Sequence, residues 1–330
     1  MGDGKRRVAV IGAGISGLTC ARGLFQSGAA VTVFEKSRGV GGRMATRRAP
    51  EGLRFDHGAQ YFTARDERFA AEVRRWVEAG AAAPWLGRLC TLTRGRVESK
   101  DRDQTRYVGV PGMNALCKDL AAGLETRFST RVETIELEGS QKNLTSDDGA
   151  DLGAYDVAMV STPAPQAADL LTAAPTLREK IRGVPMQGCL AAMLSFGRPL
   201  GLEFDGAFVH ESGLSWVARN SSKPGREGAA EAWVVHAGPE WSDEQMELTP
   251  EQLLPRLTSL FWEATGLEPV EPTYATSHRW RYAIPPEPLS DRCLFDAELG
   301  IGVCGDWCAG PRVEGAYLSG LALAERVAAL

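Results

Sequence analysis

An α/β fold is predicted, with a parallel-sheet dinucleotide-binding domain interrupted by an inserted mixed-sheet α+β domain. Three observations predict it. The chain opens on an apolar run leading into GxGxxG at Gly12, Gly14 and Gly17. It closes on a second strand-and-glycine run, "LGIGVCGDWCAG", followed by the helical pattern "GAYLSGLALAERVAAL". Between them, segments rich in β-branched and aromatic residues dominate from about residue 171 to 289. A length of 330 residues suits two domains and a ligand cleft. With 44% hydrophobic and 24% charged residues the composition is that of a soluble globular protein, and a net charge of −5 speaks against nucleic acid as a partner.

Val8–Ile11 is the short apolar run that a buried parallel strand needs. Gly12 permits the turn, Gly14 carries no side chain to keep a pyrophosphate away, and Gly17 lets the next helix pack close to the strand. That helix presents its first amides, Ile15 and Ser16 among them, where its dipole favours negative charge. Ala21 and Leu24 mark its inward face, and it should stop near Gly28. "AVTVFE" is the second strand. Glu35 at its end can accept from two ribose hydroxyls and would repel a 2′-phosphate, which favours FAD or NAD over NADP. Lys36 follows directly. A second glycine turn, Gly41 and Gly42 in "RGVGGR", brings backbone toward the same dinucleotide. It sets Arg43, with Met44 beside it, to make a charge-assisted bond to phosphate. Arg38, Arg47 and Arg48 read as a solvated basic face.

"ERFAAEVRRWVEAG" predicts a helix, "LCTLTRG" and "RVESK" short strands, and "VPGMNALCKDLAAGLE" a helix led by proline and glycine. "TRFSTRVETIELEG" is a strand with partial alternation, and "YDVAMVSTPAPQAADLL" a buried strand, a proline turn and a helix. "GCLAAMLSF", "GAFVH", "LSWVARN" and "AWVVHAG" are strand-like. "TPEQLLPRLTSLFWEATG" starts a helix at Thr-Pro-Glu, with Pro255 near its beginning or kinking it. The domain boundaries expected from these changes are 1–64, 104–170 and 290–330 for the dinucleotide domain, and 65–103 and 171–289 for a substrate domain.

"GAGISGLTCARGLFQSGAAVTVFEKSRGVGGR" resembles the FAD-binding signature of the flavin amine oxidase superfamily. "VGGRMATRR" followed by "FDHGAQYFT" resembles the renalase-like members, and the likeness extends to "GVCGDWCAGPRVEGAYLSG". The resemblance implies a glutathione-reductase-type, Rossmann-like FAD domain holding its cofactor without a covalent link. It also implies that the backbone of Val132 contacts adenine and that Gly305 and Asp306 meet the ribityl or pyrophosphate part. Gly315 and Ala316 would begin a helix facing the flavin pyrimidine. Gly58, Ala59, Gln60 and Tyr61 would approach the ring, with Gln60 bonding flavin or substrate, or else bracing its own loop.

Many related amine oxidases use a lysine on a substrate-domain strand, and monoamine oxidases a cysteine that links the flavin. The comparable strand here, "GCLAAMLSFGRP", has no lysine; Lys223, in the polar loop "NSSKPGREG", is the one that follows Lys180. A dihydropyridine donor fits that gap, because hydride loss yields an aromatic pyridinium with no separate proton to remove. The implied activity is oxidation of 2- or 6-dihydro isomers of NAD(P)H to NAD(P)+, with dioxygen reoxidising the flavin to give hydrogen peroxide. Its pocket would draw on Gln60, His236 and Trp280 as catalytic candidates, and on Trp216, Arg219, Asn220, Arg279, Arg281 and Tyr282 for substrate, with His278 completing the cluster "HRWRY". A simple amine oxidase, a carotenoid-desaturase-like enzyme and a non-catalytic nucleotide sensor are the alternatives.

Seven cysteines without CxxC suggest reduced thiols, a cytoplasmic setting and no metal. The basic-then-apolar start is too short for a secretion signal and fails the myristoylation pattern. No apolar stretch approaches the roughly 20 residues that span a bilayer. A monomer or weak homodimer is expected.

Overall fold

The computed structural model describes residues 4–99, 104–226, 228, 230–308 and 310–330. Lys100, the end of the expected strand "RVESK", the boundary at 103, and Ala309 of the closing motif lie outside them. The chain divides into two compact units: residues 1–42, 116–186 and 285–330 form one, and 43–115 and 187–284 the other. Residues 43–64 and 104–115, expected in the dinucleotide domain, pack in the second unit, and 171–186 and 285–289, expected in the substrate domain, pack in the first.

The first unit is built on a six-stranded sheet in the order Leu294–Asp296, Ile301–Val303, Val157–Val160, Arg7–Ile11, Ala30–Phe34, Glu125–Arg127. All neighbours are parallel except Leu294–Asp296, which runs antiparallel to Ile301–Val303. Val8, Ala9 and Val10 on the central strand are fully buried, as a strand covered on both faces requires. The helix Ile15–Gln26 ends at Ser27, just before Gly28 in a left-handed conformation. It packs so closely on the C-terminal helix Val313–Ala328 that a Cβ on Gly320 would lie 2.0 Å from the Ser16 carbonyl oxygen. Val132–Glu138, Gln141–Ser146 and Asp151–Tyr155 form a separate antiparallel sheet.

The second unit carries a seven-stranded sheet in the order Tyr274–Ile284, Gln187–Phe196, Glu231–Ala237, Leu214–Arg219, Gly206–His210, Leu89–Thr93, Arg96–Ser99. Every pair is antiparallel except Gly206–His210 with Leu89–Thr93. One face, with Leu190, Leu194, Val217, Trp233 and Val235, buries its side chains with those of the helix Pro250–Thr265. A capping box between Thr249 and Gln252 starts that helix, and it runs on through Pro255 to a left-handed Gly266. The 11-residue strand Tyr274–Ile284 contains the "HRWRY" run, whose alternation is masked by aromatic and charged residues on both faces. No helix among the described residues is long and apolar enough to cross a membrane.

Candidate active site

In the first unit each glycine of GxGxxG has its own reason. Gly12 turns at φ +106°, and a Cβ there would sit 2.7 Å from the Ser161 carbonyl oxygen. A Cβ on Gly17 would lie 2.1 Å from the Gly12 oxygen, so the helix could not approach the strand. At Gly14 a Cβ would meet nothing within 4 Å: this glycine leaves open space that no packing within the protein demands. Gly41 N–H donates to the Ala13 carbonyl (2.9 Å), and Gly41 bridges to Gly14, which lays the second glycine turn on the first. Glu35 is buried beneath them, accepting from Ala13 N–H at 2.9 Å and Ser37 N–H at 2.8 Å. Ser16 and Ser161 hydroxyls flank the turn, buried against the Cys304 sulfur without a nitrogen or oxygen partner among the described residues. Open space at Gly14, a fixed carboxylate at the end of the second strand, and helix amides at Ile15 and Ser16 fit the adenosine diphosphate half of FAD. Lys36 is exposed.

The closing motif fits in part. Asp306 is buried beyond the strand Ile301–Val303, and Gly305 N–H donates to Ser319 Oγ at 2.9 Å. The helix begins at Val313, not Gly315. Ala316 N–H is already committed to the Arg312 carbonyl (3.0 Å), so it is not one of the free helix-start amides expected there. Gly315 serves packing, since a Cβ would lie 2.1 Å from the Gly310 oxygen. Val132 opens its strand with its side chain in the core.

Arg43 and Met44 belong to the second unit. Arg43 donates from Nη1 to the Ala283 carbonyl (2.8 Å) and accepts Ala59 N–H on its own carbonyl (2.9 Å); Met44 is core. A Cβ on Gly58 would lie 2.0 Å from the Arg43 oxygen, so glycine is required where these segments cross.

The sheet of the second unit carries a row of paired residues, Phe208, Trp216, His236, Ala191 and His278, on the face opposite the Pro250–Thr265 helix. The loop from Asp56 to Tyr61 adds to it. His57 stacks on Trp280 with ring centroids 5.0 Å apart, and His278 meets both edge-on, at 4.6 and 4.3 Å. The His57 carbonyl accepts from Trp280 Nε1 (2.8 Å) and lies 3.1 Å from His236 Nε2, which assigns the Nε2–H tautomer to His236. His236, Trp280 and His278, all named from sequence, thus converge, and His57 joins them.

Period-two geometry separates the other candidates. Arg219 lies over Trp233 and pairs with Asp205 (3.3 Å) on the helix-packed face. Arg279 and Arg281 both reach Glu247, on the side away from His278 and Trp280. These three arginines are therefore corrected out of the pocket wall. Asn220 is fully buried and structural: it donates to the Arg54 carbonyl (2.6 Å) and accepts from Asp56 N–H (3.2 Å). Trp216 is 6% exposed, with its indole N–H buried and unpartnered among the described residues. Tyr282 is half-buried. Gln60 takes the loop-bracing role, its Nε2 donating to the carbonyls of Asp56 and of Gly58 (3.0 Å).

Lys223 is a second correction. Read as part of a polar loop, it is completely buried, 3.1 Å from Gln60 Oε1 and 3.6 Å from Asp56 Oδ2. Arg226 pairs with the same Asp56 carboxylate. Burial alone would raise the Asp56 pKa, but Lys223 and Arg226, with bonds from Met113 N–H and Thr46 Oγ1, hold it below the usual carboxylate range. One signal pointed to Lys223: a lone lysine between Lys180 and the C terminus. Nothing local marked Asp56 or Arg226.

His57, His236 and His278 are held neutral. Burial, then Arg47, pushes His57 down to about 4. Burial, opposed by the His57 carbonyl, takes His236 to about 4, and burial, His57 and Arg47 take His278 to about 3. The unfolded chain binds protons near the ordinary value of about 6.5, so between there and 4 it holds more protons than the fold. Stability of the second unit should therefore fall as pH drops through this window. Urea unfolding at about pH 7, 6 and 5 should show uptake of as many as three protons, one fewer in His278→Gln. An equal pH slope in that variant would contradict the assignment.

A profile described as "Flavin containing amine oxidoreductase" matches residues 85–328, and one described as "NAD(P)-binding Rossmann-like domain" matches 10–76. Among curated proteins, 4,4'-diapophytoene desaturase of Staphylococcus aureus (strain Newman) is 46% identical over 52 residues, 16% of this chain and 10% of that one. A solved Exiguobacterium sp. 255-15 protein, provisionally named a protoporphyrinogen oxidase, superposes with TM-score 0.82 at 14% identity over 99% of this chain and 100% of its own. Cyclohexylamine oxidase from Brevibacterium oxydans IH-35A gives 0.74 at 15% identity, covering 98% and 99%. These solved structures bear out the fold. With a glycine cradle that fits the adenosine diphosphate half of its cofactor and a profile match over most of its length, the chain belongs to the FAD-binding family of flavin containing amine oxidoreductases.

Proposed function

We propose that this flavin-dependent oxidoreductase takes hydride from 2- or 6-dihydro isomers of NAD(P)H and releases NAD(P)+. FAD held at the glycine cradle would supply the hydride acceptor and the route for both electrons to dioxygen, which with a proton from water yields hydrogen peroxide. The observation that carries the reading is the charge on the wall of the second unit. Asp56 is the one buried carboxylate among that unit's described residues, and Lys223 and Arg226 already claim it. Arg47 lies beside neutral His57 and His278. Asp56, already paired with Lys223 and Arg226, is not free to hold a substrate ammonium, and the cations beside it oppose one. A flat, uncharged dihydropyridine on an anionic dinucleotide suits this wall: Trp280 and His57 offer ring faces, and Arg47 offers charge to phosphate. Hydride loss makes the ring aromatic, so neutral histidines need not ionise.

Amine oxidation, the activity in the name of the cyclohexylamine oxidase neighbour, is the competing reading. The aromatic group Tyr61, Trp85 and Trp216 is the feature that favours it. A cation already faces that group, however: Lys223 Nζ lies 5.6 Å from the Trp85 ring centroid. Anaerobic mixing of purified holoenzyme with the dihydro isomers should bleach the flavin faster than ordinary NADH does. Equal or slower bleaching, or peroxide from polyamines instead, rejects the proposal.

A further inference from the structure

Lys223 does more than neutralise a carboxylate. Its ammonium faces three oxygens: Gln60 Oε1 at 3.1 Å, Asn220 Oδ1 at 3.4 Å and Asp56 Oδ2 at 3.6 Å. The Gln60 amide is thus held at both ends, its Nε2 by the carbonyls of Asp56 and Gly58 and its Oε1 by Lys223. The turn that Gln60 closes presents the His57 carbonyl, on which Trp280 Nε1 and His236 Nε2 converge.

We propose that Lys223 is a positioning residue whose ammonium clamps the turn from His57 to Tyr61, and that the turn loosens when this charge is lost. The inference stands on the geometry of the second unit and does not depend on which hydride donor the enzyme uses. The titratable groups facing Lys223 are Asp56 from the strand Arg54–Asp56, Arg226 from its own loop, and His236 from the strand Glu231–Ala237. Asp56 stays ionised and His236 stays neutral at and above neutral pH. Only Lys223 changes charge there: burial brings it down to about 8, with Asp56 opposing and Arg226 assisting. A neutral amine has two hydrogens and one lone pair among three oxygens, so one contact turns repulsive and the bond to Gln60 loses its charge assistance.

Hydrogen exchange of the flavin-loaded protein tests this, read by mass spectrometry on a peptide covering residues 54–64 and corrected for the intrinsic pH dependence of exchange. Two amides report on the loop: Ala59 N–H, bonded to the Arg43 carbonyl, and Phe62 N–H, bonded to the Tyr107 carbonyl. Protection should fall about tenfold between about pH 7 and pH 9, the scale of one charge-assisted bond, while the strand Gln187–Phe196 is unchanged. Lys223→Met should show the low protection at both pH values, and Lys223→Arg the high protection at both. Wild-type protection that does not change with pH overturns the proposal, as does a Lys223→Met variant as protected as wild type near neutrality. Should Lys223→Arg not fold, the wild-type titration and the methionine variant decide between these outcomes.

Discussion

Asp56→Asn is expected to destabilise the second unit by about 3–5 kcal/mol, enough to unfold a protein of ordinary stability or make it insoluble. The shape of the side chain barely changes; the charge disappears. Asp56 accepts from Met113 N–H (2.9 Å), Thr46 Oγ1 (2.7 Å) and Arg226, with Lys223 at 3.6 Å, and the side chains of Asp56, Lys223 and Arg226 are shut off from solvent. The variant leaves two buried cations with no counter-charge. Lys223 can shed its proton, because burial has already brought it to about 8. Arg226 cannot, so it carries most of the cost. The test is a double-mutant cycle in urea. Arg226→Met alone should cost less than Asp56→Asn alone, and the double variant should be more stable than Asp56→Asn alone, because the stranded guanidinium is gone. An Asp56→Asn protein unfolding at the wild-type midpoint would show that the two cations do not depend on this carboxylate.

That network marks the limit of what could be read from residues alone. The first unit was legible because its chemistry is local. The turn, the close helix and the acidic end of the second strand fall within Gly12–Glu35, and each glycine has a distinct steric task. The strands of the second unit were legible as well, from their runs of β-branched, aromatic and apolar residues, and the central ones, Gln187–Phe196 and Glu231–Ala237, are buried on both faces. Its site was not. Arg226 and Asp56 are separated by 170 positions, and no local pattern announces such a pair. The "HRWRY" run looked like one cluster, yet a strand sends alternate residues to opposite faces, so His278 and Trp280 part from Arg279 and Arg281. Lys223 sat among serine, proline and glycine, a composition that usually means solvent; here the turn folds inward and caps a buried carboxylate. The boundaries moved for a related reason. The chain passes from one unit to the other between Gly42 and Arg43, within the very motif that had been assigned whole to the cofactor domain.

Gly14→Val and Gly17→Ala should fail in different ways, and the contrast tests the cofactor cradle directly. Gly14 has extended backbone (φ −75°, ψ 173°), which valine adopts readily, and a Cβ there touches no protein atom within 4 Å. The fold should therefore survive. What valine fills is the space through which backbone would approach a pyrophosphate, so FAD should bind about a hundredfold more weakly, equivalent to about 3 kcal/mol of steric opposition. The purified variant should be nearly colourless, with a circular dichroism spectrum and flavin-free unfolding midpoint matching those of stripped wild type. Gly17→Ala adds one methyl group, but that group would lie 2.1 Å from the Gly12 carbonyl oxygen and 3.0 Å from Ser161 Cβ. Neither neighbour can yield without moving the strand or the helix, so this smaller substitution should lower the unfolding midpoint whether or not flavin is present. If Gly14→Val keeps its yellow colour through gel filtration, the open space at residue 14 is not where the dinucleotide lies, and the glycines serve packing alone.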